Sequence, residues 1–230
     1  MRQPALHTSR TGYVGMTIMR NLLVFLLVTL LVICGYYYVD ARIALFVNRL
    51  WISDARLAVF SANIPDFLLP LVCVITGFAW TAYFHLVRKG VFNTQTRFFQ
   101  LVAITIPLTF SLKSMLKLLV GRINTRFWLR HPTYSEFHWF HGIGNYTSFP
   151  SGHMAVFTTF MVALWKFYPR HRTKYVLINS AVALALVLTN YHFVSDIVAG
   201  VYVGFIVHTV TLHGIQFLLK SEGSDQRGAL

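Results

Sequence analysis

Long apolar runs separated by short polar segments dominate the chain. A helix needs about 20 mostly apolar residues to cross the hydrocarbon layer of a membrane, and six segments are candidates for such helices. They are residues 22–39, 67–87, 98–119, 154–168, 175–192 and 194–219. The pattern predicts an all-α, polytopic membrane protein in which residues 1–230 form one integral-membrane domain with six transmembrane helices.

Three segments depart from this pattern. Residues 40–66 mix apolar residues with three arginines spaced seven apart, which predicts amphipathic helices lying in the membrane interface between the first and second spans. Residues 120–153 form the longest polar connection, and such connections often contain functional residues. The tail, residues 220–230, is polar, and we expect it to be disordered.

The composition agrees with a membrane protein. Charged residues make up 12% of the chain, about half of the share usual in soluble domains. The 20 Lys and Arg exceed the 7 Asp and Glu and give a net charge of +13. On a soluble protein this excess would favour nucleic-acid binding. Here the basic residues lie mostly in short segments between apolar runs, so we expect no nucleic-acid partner.

The distribution of basic residues predicts the orientation. Cytoplasmic segments of membrane proteins carry an excess of Lys and Arg. With a cytoplasmic N-terminal segment, residues 1–21, the cytoplasmic side holds 12 Lys and Arg and the opposite side holds 6. We therefore expect both termini in the cytoplasm and residues 120–153 on the outer face.

Several cations gather where the third span leaves the membrane. Lys113 and Lys117 lie four residues apart and so on one helix face, although Lys113 could simply extend its ammonium group to the headgroups. Lys117 is followed closely by Arg122 and Arg126. Such a group of cations needs an anion or water, and phosphate suits it because Lys and Arg bind its oxygens through charge-assisted hydrogen bonds.

A second motif, Pro150-Ser151-Gly152-His153, directly precedes the fourth span. Pro150 suits a helix start and Ser151 suits an N-cap. Gly152 would let an anion approach the exposed N–H groups of the helix end, and His153 follows in the first turn. The alternative is a plain helix cap with a histidine at the membrane interface.

The third motif lies between the last two predicted spans. His192 and Asp196 are four residues apart and would share one face of a helix. An aspartate can hold an imidazole in the tautomer that leaves its other nitrogen free to attack. Alternatively, Ser195 or Asp196 caps the last span. The predicted topology places all three motifs at the outer face.

Together the motifs resemble those of the type 2 phosphatidic acid phosphatase superfamily, membrane lipid phosphatases related to the vanadium haloperoxidases. That family has the signatures Lys-x6-Arg-Pro, Pro-Ser-Gly-His and Ser-Arg-x5-His-x3-Asp. Residues 150–153 match the second signature fully, and His192, Asp196 and the following Ile-Val-Ala-Gly200 match the third. The resemblance covers roughly residues 98–205, the expected catalytic core.

Two positions depart from the signatures. The first signature keeps Lys117 but has Asn124 where its arginine is expected, and the third has Leu186 in place of its arginine. Arg122 is the arginine often seen just ahead of the family's Arg-Pro. Arg126 is expected to replace the missing arginine from two residues further on.

The resemblance implies a metal-independent mechanism with no cofactor. His192 would attack phosphorus to form a phosphohistidine, oriented by Asp196, and His153 would protonate the leaving oxygen and then activate water. Because no metal is required, His138-x2-His141 is interpreted as part of a polar loop. Five groups would neutralise the phosphate oxygens: Lys117, Arg122, Arg126, Ser151 and the Gly152 N–H.

The expected substrate is a membrane lipid phosphate, hydrolysed at the periplasmic face of the cell inner membrane. Undecaprenyl diphosphate, phosphatidylglycerol phosphate, phosphatidic acid and the lipid A phosphates all remain candidates. A phosphotransferase between lipids and a non-catalytic lipid-phosphate binder or transporter are the alternatives. No obligatory protein partner is implied.

Overall fold

The computed structural model describes residues 8–51 and 68–228, and over these ranges the chain is helical apart from turns and one isolated β-bridge. Helix α1, Thr8–Cys34, continues through a π-helical turn, Gly35–Asp40, into α2, Ala41–Trp51. The break expected at residue 40 does not occur, because neither proline nor glycine interrupts residues 36–51. The interfacial position of this segment stays a prediction, and most of its second half lies outside the described residues.

The remaining long helices follow the predicted apolar segments with shifted ends, whereas the short helix at 125–130 and a 3-10 turn lie in predicted connections. In chain order, these elements are α3 (Leu68–Arg88), α4 (Thr94–Val120), α5 (Thr125–Arg130), α6 (Gly152–Phe167), a 3-10 turn (Pro169–His171), α7 (Arg172–Leu188) and α8 (Val194–Gly228). The tail expected to be disordered instead continues α8 to Gly228. No proline lies within this stretch to interrupt the backbone hydrogen bonds.

Four segments of the described chain are long and apolar enough to cross a membrane: Met19–Leu50, Leu68–Arg88, Thr94–Val120 and Val194–Phe217. The protein is therefore an all-helical membrane protein with four candidate spans. Helices α6 and α7 occupy the places of the predicted fourth and fifth spans but have 16 and 17 residues. The arrangement with six spans stays a prediction.

Local capping residues set the ends of the helices around the site. The Asn93 side chain accepts hydrogen bonds from the backbone N–H groups of residues 95 and 96, so α4 begins four residues before the predicted start. Gly121 ends α4 in the left-handed region, at φ 55°, a conformation that favours glycine. Ser151 caps α6 as expected, with its hydroxyl accepting from the Met154 N–H.

The end of α7 differs from the prediction and matters for the site. The fifth segment was expected to reach residue 192, but α7 stops at Leu188. Asn190 adopts a φ of 50°, which terminates a helix because it turns the backbone into the left-handed region. His192 therefore lies in the turn before α8.

The core joins α3, α4 and α6, and a second cluster joins α6, α7 and α8. The second cluster is built on Met154, Leu186 and Ile197, one buried side chain from each helix. In the first, α3 contributes residues such as Val72, α4 residues such as Ile106, and α6 Val156. Helix α6 takes part in both clusters, so it is the central element of the packing.

Two glycines let α8 pack directly against α6. A Cβ atom on Gly200 would lie 2.5 Å from the Ser151 carbonyl oxygen, and one on Gly204 would lie 2.3 Å from the Ala155 carbonyl oxygen. Small residues four apart allow this close approach of helix backbones in membranes. The Thr159 hydroxyl adds a hydrogen bond to the Gly204 carbonyl at 3.1 Å. This contact brings the N-terminal ends of α6 and α8 together.

The long connection 120–153 folds back over the end of α4. The His138 N–H donates to the Gly121 carbonyl at 2.8 Å, and the Ser148 N–H donates to the Arg122 carbonyl at 3.0 Å. A Cβ on Gly121 would lie 1.9 Å from the His138 carbonyl oxygen, so only glycine fits there. As a result, Ser148 lies beside Arg122 at the end of α4.

Candidate active site

Asp196 is the centre of a buried polar cluster at the meeting point of α6, α8 and the connection. Its Oδ1 accepts from Arg122 Nη1 at 2.7 Å, and its Oδ2 accepts from Ser148 Oγ at 2.5 Å and from the Phe193 N–H at 3.2 Å. Its backbone carbonyl accepts from the Ser151 N–H at 3.0 Å. The carboxylate is fully buried and is therefore held from several sides at once.

His192 lies against this carboxylate. Its Nδ1 is 3.6 Å from Asp196 Oδ2 and 3.4 Å from Ser148 Oγ, so the sequence spacing does place the two side chains together. Burial lowers the pKa of His192, the neighbouring Asp196 opposes that shift, and the charges of Lys117 and Arg122 reinforce it. The imidazole is consequently neutral at neutral pH. A proton on Nδ1, facing the carboxylate, leaves the lone pair on Nε2.

The second histidine stands close to the first. His153 is buried in the first turn of α6, and its ring centroid lies 6.3 Å from that of His192. The Tyr191 ring contacts both imidazoles edge to face, at 5.4 Å from His153 and 5.0 Å from His192. The structure thus brings the three predicted catalytic side chains into one cluster, in which His192 lines a cavity and His153 and Asp196 lie behind its wall.

A cavity of about 400 Å³ opens beside His192. Its wall includes three cationic side chains, Lys117, Arg126 and Arg130, together with polar groups of the connection. Arg126 is held by two hydrogen bonds from Nε and Nη2 to the Thr189 carbonyl, at 3.1 and 2.8 Å. Lys117 Nζ donates to the Thr147 carbonyl. The cavity therefore combines a neutral imidazole with anchored positive charges, a combination that suits a phosphate group.

A family model, the PAP2 superfamily, matches residues 96–220. The chain belongs to the PAP2 superfamily. Neither a curated protein nor a solved structure matches it. The matched region contains both histidines and Asp196, and membership indicates phosphatase activity on phosphate esters.

In this PAP2 protein Arg122 does not line the cavity. Its guanidinium is buried, with Nη1 also 2.6 Å from Ser195 Oγ and Nη2 2.8 Å from Asp40 Oδ2. The Phe193 ring lies 4.3 Å from its central carbon. This geometry differs from the expected contact with phosphate oxygens, because both terminal nitrogens of the guanidinium donate to protein carboxylates. Burial lowers the pKa of Arg122, but the two carboxylates more than offset it and raise the pKa.

Ser151 and Gly152 also serve the packing instead of lining the cavity. Ser151 is fully buried and caps α6. A Cβ on Gly152 would lie 3.2 Å from Lys113 Cδ, so the missing side chain makes room for this lysine. Lys113 is 9% exposed, with Nζ 3.8 Å from the Phe110 ring centroid. It packs inward instead of extending to the headgroups.

Three polar residues of the cluster were not predicted as site residues. Asp40 gave a weak signal as a rare acid beside an apolar run, whereas Ser148 gave none, since serine is common in polar connections. Ser195 was considered only as a cap. Its N–H donates to Asp40 Oδ1 at 3.0 Å, and its hydroxyl bonds to the same carboxylate.

Two histidines of the connection, His131 and His138, pack against aromatic rings. His138 stacks on Tyr146 with ring centroids 4.1 Å apart. Within the described parts of the chain, no three His, Cys, Asp or Glu side chains are grouped so that they could hold a metal ion.

Proposed function

We propose that this PAP2-superfamily protein hydrolyses a lipid phosphate or diphosphate through a phosphohistidine on His192. The observation that carries the proposal is the position of His192. It lines a cavity walled by Lys117 and Arg126 and turns Nδ1 toward the Asp196 carboxylate. A neutral, oriented imidazole facing a phosphate-binding cavity is the arrangement that nucleophilic attack on phosphorus requires.

The reaction would proceed in two steps. His192 Nε2 forms a bond to phosphorus while the bond from phosphorus to the leaving oxygen breaks, and His153 gives that oxygen a proton. Water, deprotonated by His153, then attacks the phosphohistidine, releasing phosphate and regenerating His192. The centroids of the two imidazole rings are 6.3 Å apart, so the proposed acid is a direct neighbour of the proposed nucleophile.

The charges of the cavity would supply most of the rate enhancement. Phosphoryl transfer depends chiefly on positioning and on stabilising the charge of the equatorial oxygens. Lys117 and Arg126 are the predicted phosphate ligands that line the cavity, and Arg130 adds a third positive charge at its wall. Asp196 would stabilise the imidazolium-like charge that develops on His192.

A lipid is the proposed substrate because of where the cavity lies. Lys117 belongs to the last turn of a candidate span, so the cavity is at the end of a membrane helix, near the level of headgroups. With the orientation favoured by the basic residues, the site faces the periplasm from the inner membrane. Undecaprenyl diphosphate, phosphatidylglycerol phosphate, phosphatidic acid and the lipid A phosphates are the candidates to compare.

The test is phosphate release from these four lipids by the purified protein in detergent with EDTA present. His192→Ala is compared with His213→Ala, which removes an exposed histidine of α8. We expect release by the wild type and by His213→Ala and none by His192→Ala. Labelled substrate should also give an acid-labile, base-stable phosphoenzyme that His192→Ala lacks.

The same assay distinguishes the alternatives. Release that EDTA abolishes would contradict the metal-independent mechanism. Transfer of the phosphate to an added acceptor lipid, without release to water, would establish a phosphotransferase on the same residues. Binding of a lipid phosphate with neither reaction would leave a binder or transporter.

A further inference from the structure

Helix α1, the π-helical turn and α2 form one continuous helical segment, residues 8–51, called here the first helical arm. A buried carboxylate of this arm contacts the proposed catalytic cluster. Asp40 is the last residue of the π-helical turn that joins α1 to α2 and is 2% exposed. Its Oδ2 accepts from Arg122 Nη2 at 2.8 Å, and its Oδ1 accepts from the Ser195 N–H at 3.0 Å. Insertion of one residue into a helix as a π-turn is frequent at functional sites. Here it presents a charged side chain inward.

Arg122 connects this carboxylate to Asp196. One guanidinium nitrogen, Nη2, bonds to Asp40, and the other, Nη1, lies 2.7 Å from Asp196 Oδ1. The guanidinium is planar and rigid, so the position of one carboxylate constrains the position of the other. Asp196 in turn lies against His192 Nδ1. A continuous chain of polar contacts therefore runs from the first helical arm to the proposed nucleophile.

We propose that Asp40 is a positioning residue for the phosphatase reaction and acts on His192 through Arg122 and Asp196. The inference rests on the proposed role of His192. It concerns a residue outside the part of the chain that matches the family, residues 96–220, and a residue that does not line the cavity. Asp40 has two effects: it holds the guanidinium in place, and it balances the guanidinium charge.

Removal of the Asp40 charge should alter the protonation of His192. The charged groups that face His192 are Asp196, Lys117 and Arg122, and the rings of Tyr191 and His153 complete its surroundings. Without Asp40, the positive charge of Arg122 is balanced by Asp196 alone, so that Asp196 supports a protonated His192 less well. The loss of one negative charge and the weaker support from Asp196 both disfavour the imidazolium form, so the pKa of His192 should fall.

The test compares Asp40→Asn with Arg49→Gln, which removes an exposed charge from the adjoining helix α2. The imidazole of His192 is titrated by NMR in isotope-labelled protein, with its signal assigned through His192→Ala. We expect the titration of His192 to move to lower pH in Asp40→Asn and to stay in place in Arg49→Gln. This readout does not need catalysis, so it tests Asp40 even if the wild type releases no phosphate and the proposed function fails.

Kinetics on the preferred lipid give the second readout. Displacement of a reacting group by about 1 Å can cost about 100-fold in rate, so we expect kcat of Asp40→Asn to fall by roughly this factor with little change in KM. The acid limb of kcat/KM should shift to lower pH. Because the two residues act in one chain, the losses in Asp40→Asn and Arg122→Gln should be non-additive when combined.

A third variant keeps the proposal falsifiable if Asp40→Asn does not fold. Asp40→Glu retains the charge but moves the carboxylate, so it should lower kcat and leave the His192 titration in place. A folded Asp40→Asn with an unmoved His192 titration would overturn the proposal, as would an Asp40→Glu with wild-type kcat.

Discussion

Four cationic side chains near the end of α4 have different surroundings, although they lie within 14 consecutive residues of the sequence. Lys113 is buried beneath Gly152, and Arg122 is paired with two carboxylates. Lys117 and Arg126 line the cavity. The geometry therefore separates the two cations that line the cavity from the two that do not.

Substitution of Arg126 should therefore weaken the interaction with substrate directly. A hydrogen bond to a charged group contributes about 1.5–3 kcal/mol, which corresponds to roughly a 10- to 100-fold change in kcat/KM. We expect Arg126→Gln to lower kcat/KM by this factor, as measured by steady-state phosphate release. Arg170→Gln, in the exposed 3-10 turn, is the control. Equal activities of the two variants would exclude Arg126 as a phosphate ligand.

The surroundings of His192 also predict the pH dependence. The reactive form of this imidazole is neutral, and burial lowers its pKa below the ordinary value for histidine. Activity should consequently persist as pH falls through about 6.5 and decline only below it. At high pH the rate should fall, because the first step needs a protonated acid. A kcat/KM that rises steadily from about pH 5 to about pH 9 would contradict these assignments.

At the scale of elements, the contact between α6 and α8 positions the site. Helix α8 begins just after His192 and carries Asp196, while α6 carries His153. Gly200 and Gly204 allow the two backbones to approach closely. The relative placement of the two histidines therefore depends on residues that do not line the cavity.

Enlargement of these glycines should separate the helices. The Cβ of Gly204→Ala would overlap the Ala155 carbonyl oxygen, and overpacking of this kind typically costs about 1–3 kcal/mol. We expect a lower midpoint of thermal unfolding in detergent and reduced phosphate release. Gly214→Ala is the matched control on the same helix, because a Cβ there meets nothing within 4 Å. An unchanged midpoint in Gly204→Ala would show that α6 and α8 are less closely packed.

At the scale of the whole molecule, the arrangement in the membrane depends on two short helices. If α6 and α7 both cross, Phe140 and Arg170 lie on opposite sides of the membrane, because only α6 separates them. If α6 does not cross, they lie on the same side. The orientation predicted from basic residues places Phe140 outside.

Cysteine labelling tests this arrangement. Phe140 and Arg170, whose side chains are exposed in the structure, are each changed to cysteine. The background for both variants carries Cys34→Ser and Cys73→Ser, so that no native thiol reacts. An impermeant maleimide should label Phe140→Cys on intact cells and Arg170→Cys only after the membrane is permeabilised. Labelling of both from one side would rule out a span at α6, and the reverse pattern would invert the topology.

The sequence was sufficient for features that depend on neighbouring residues. Apolar runs located the long helices around the site, since every helix in a bilayer must satisfy its own backbone hydrogen bonds, but the short helix α5, which carries Arg126, lies in the predicted polar connection. The cap at Ser151 was also predictable, because capping needs only the first turn. His192 and Asp196 are close in the chain and so could be paired from their spacing alone.

Contacts between distant segments required the tertiary structure. Asp40 and Arg122 are 82 residues apart in the sequence, and no local pattern could show that a π-turn in the first helical arm aims one at the other. For the same reason Arg122 and Arg126 looked equivalent as phosphate ligands. Which of them faces a carboxylate and which faces the cavity depends on how α5, the connection and α8 pack together, and that packing alone assigns the two guanidinium groups different partners.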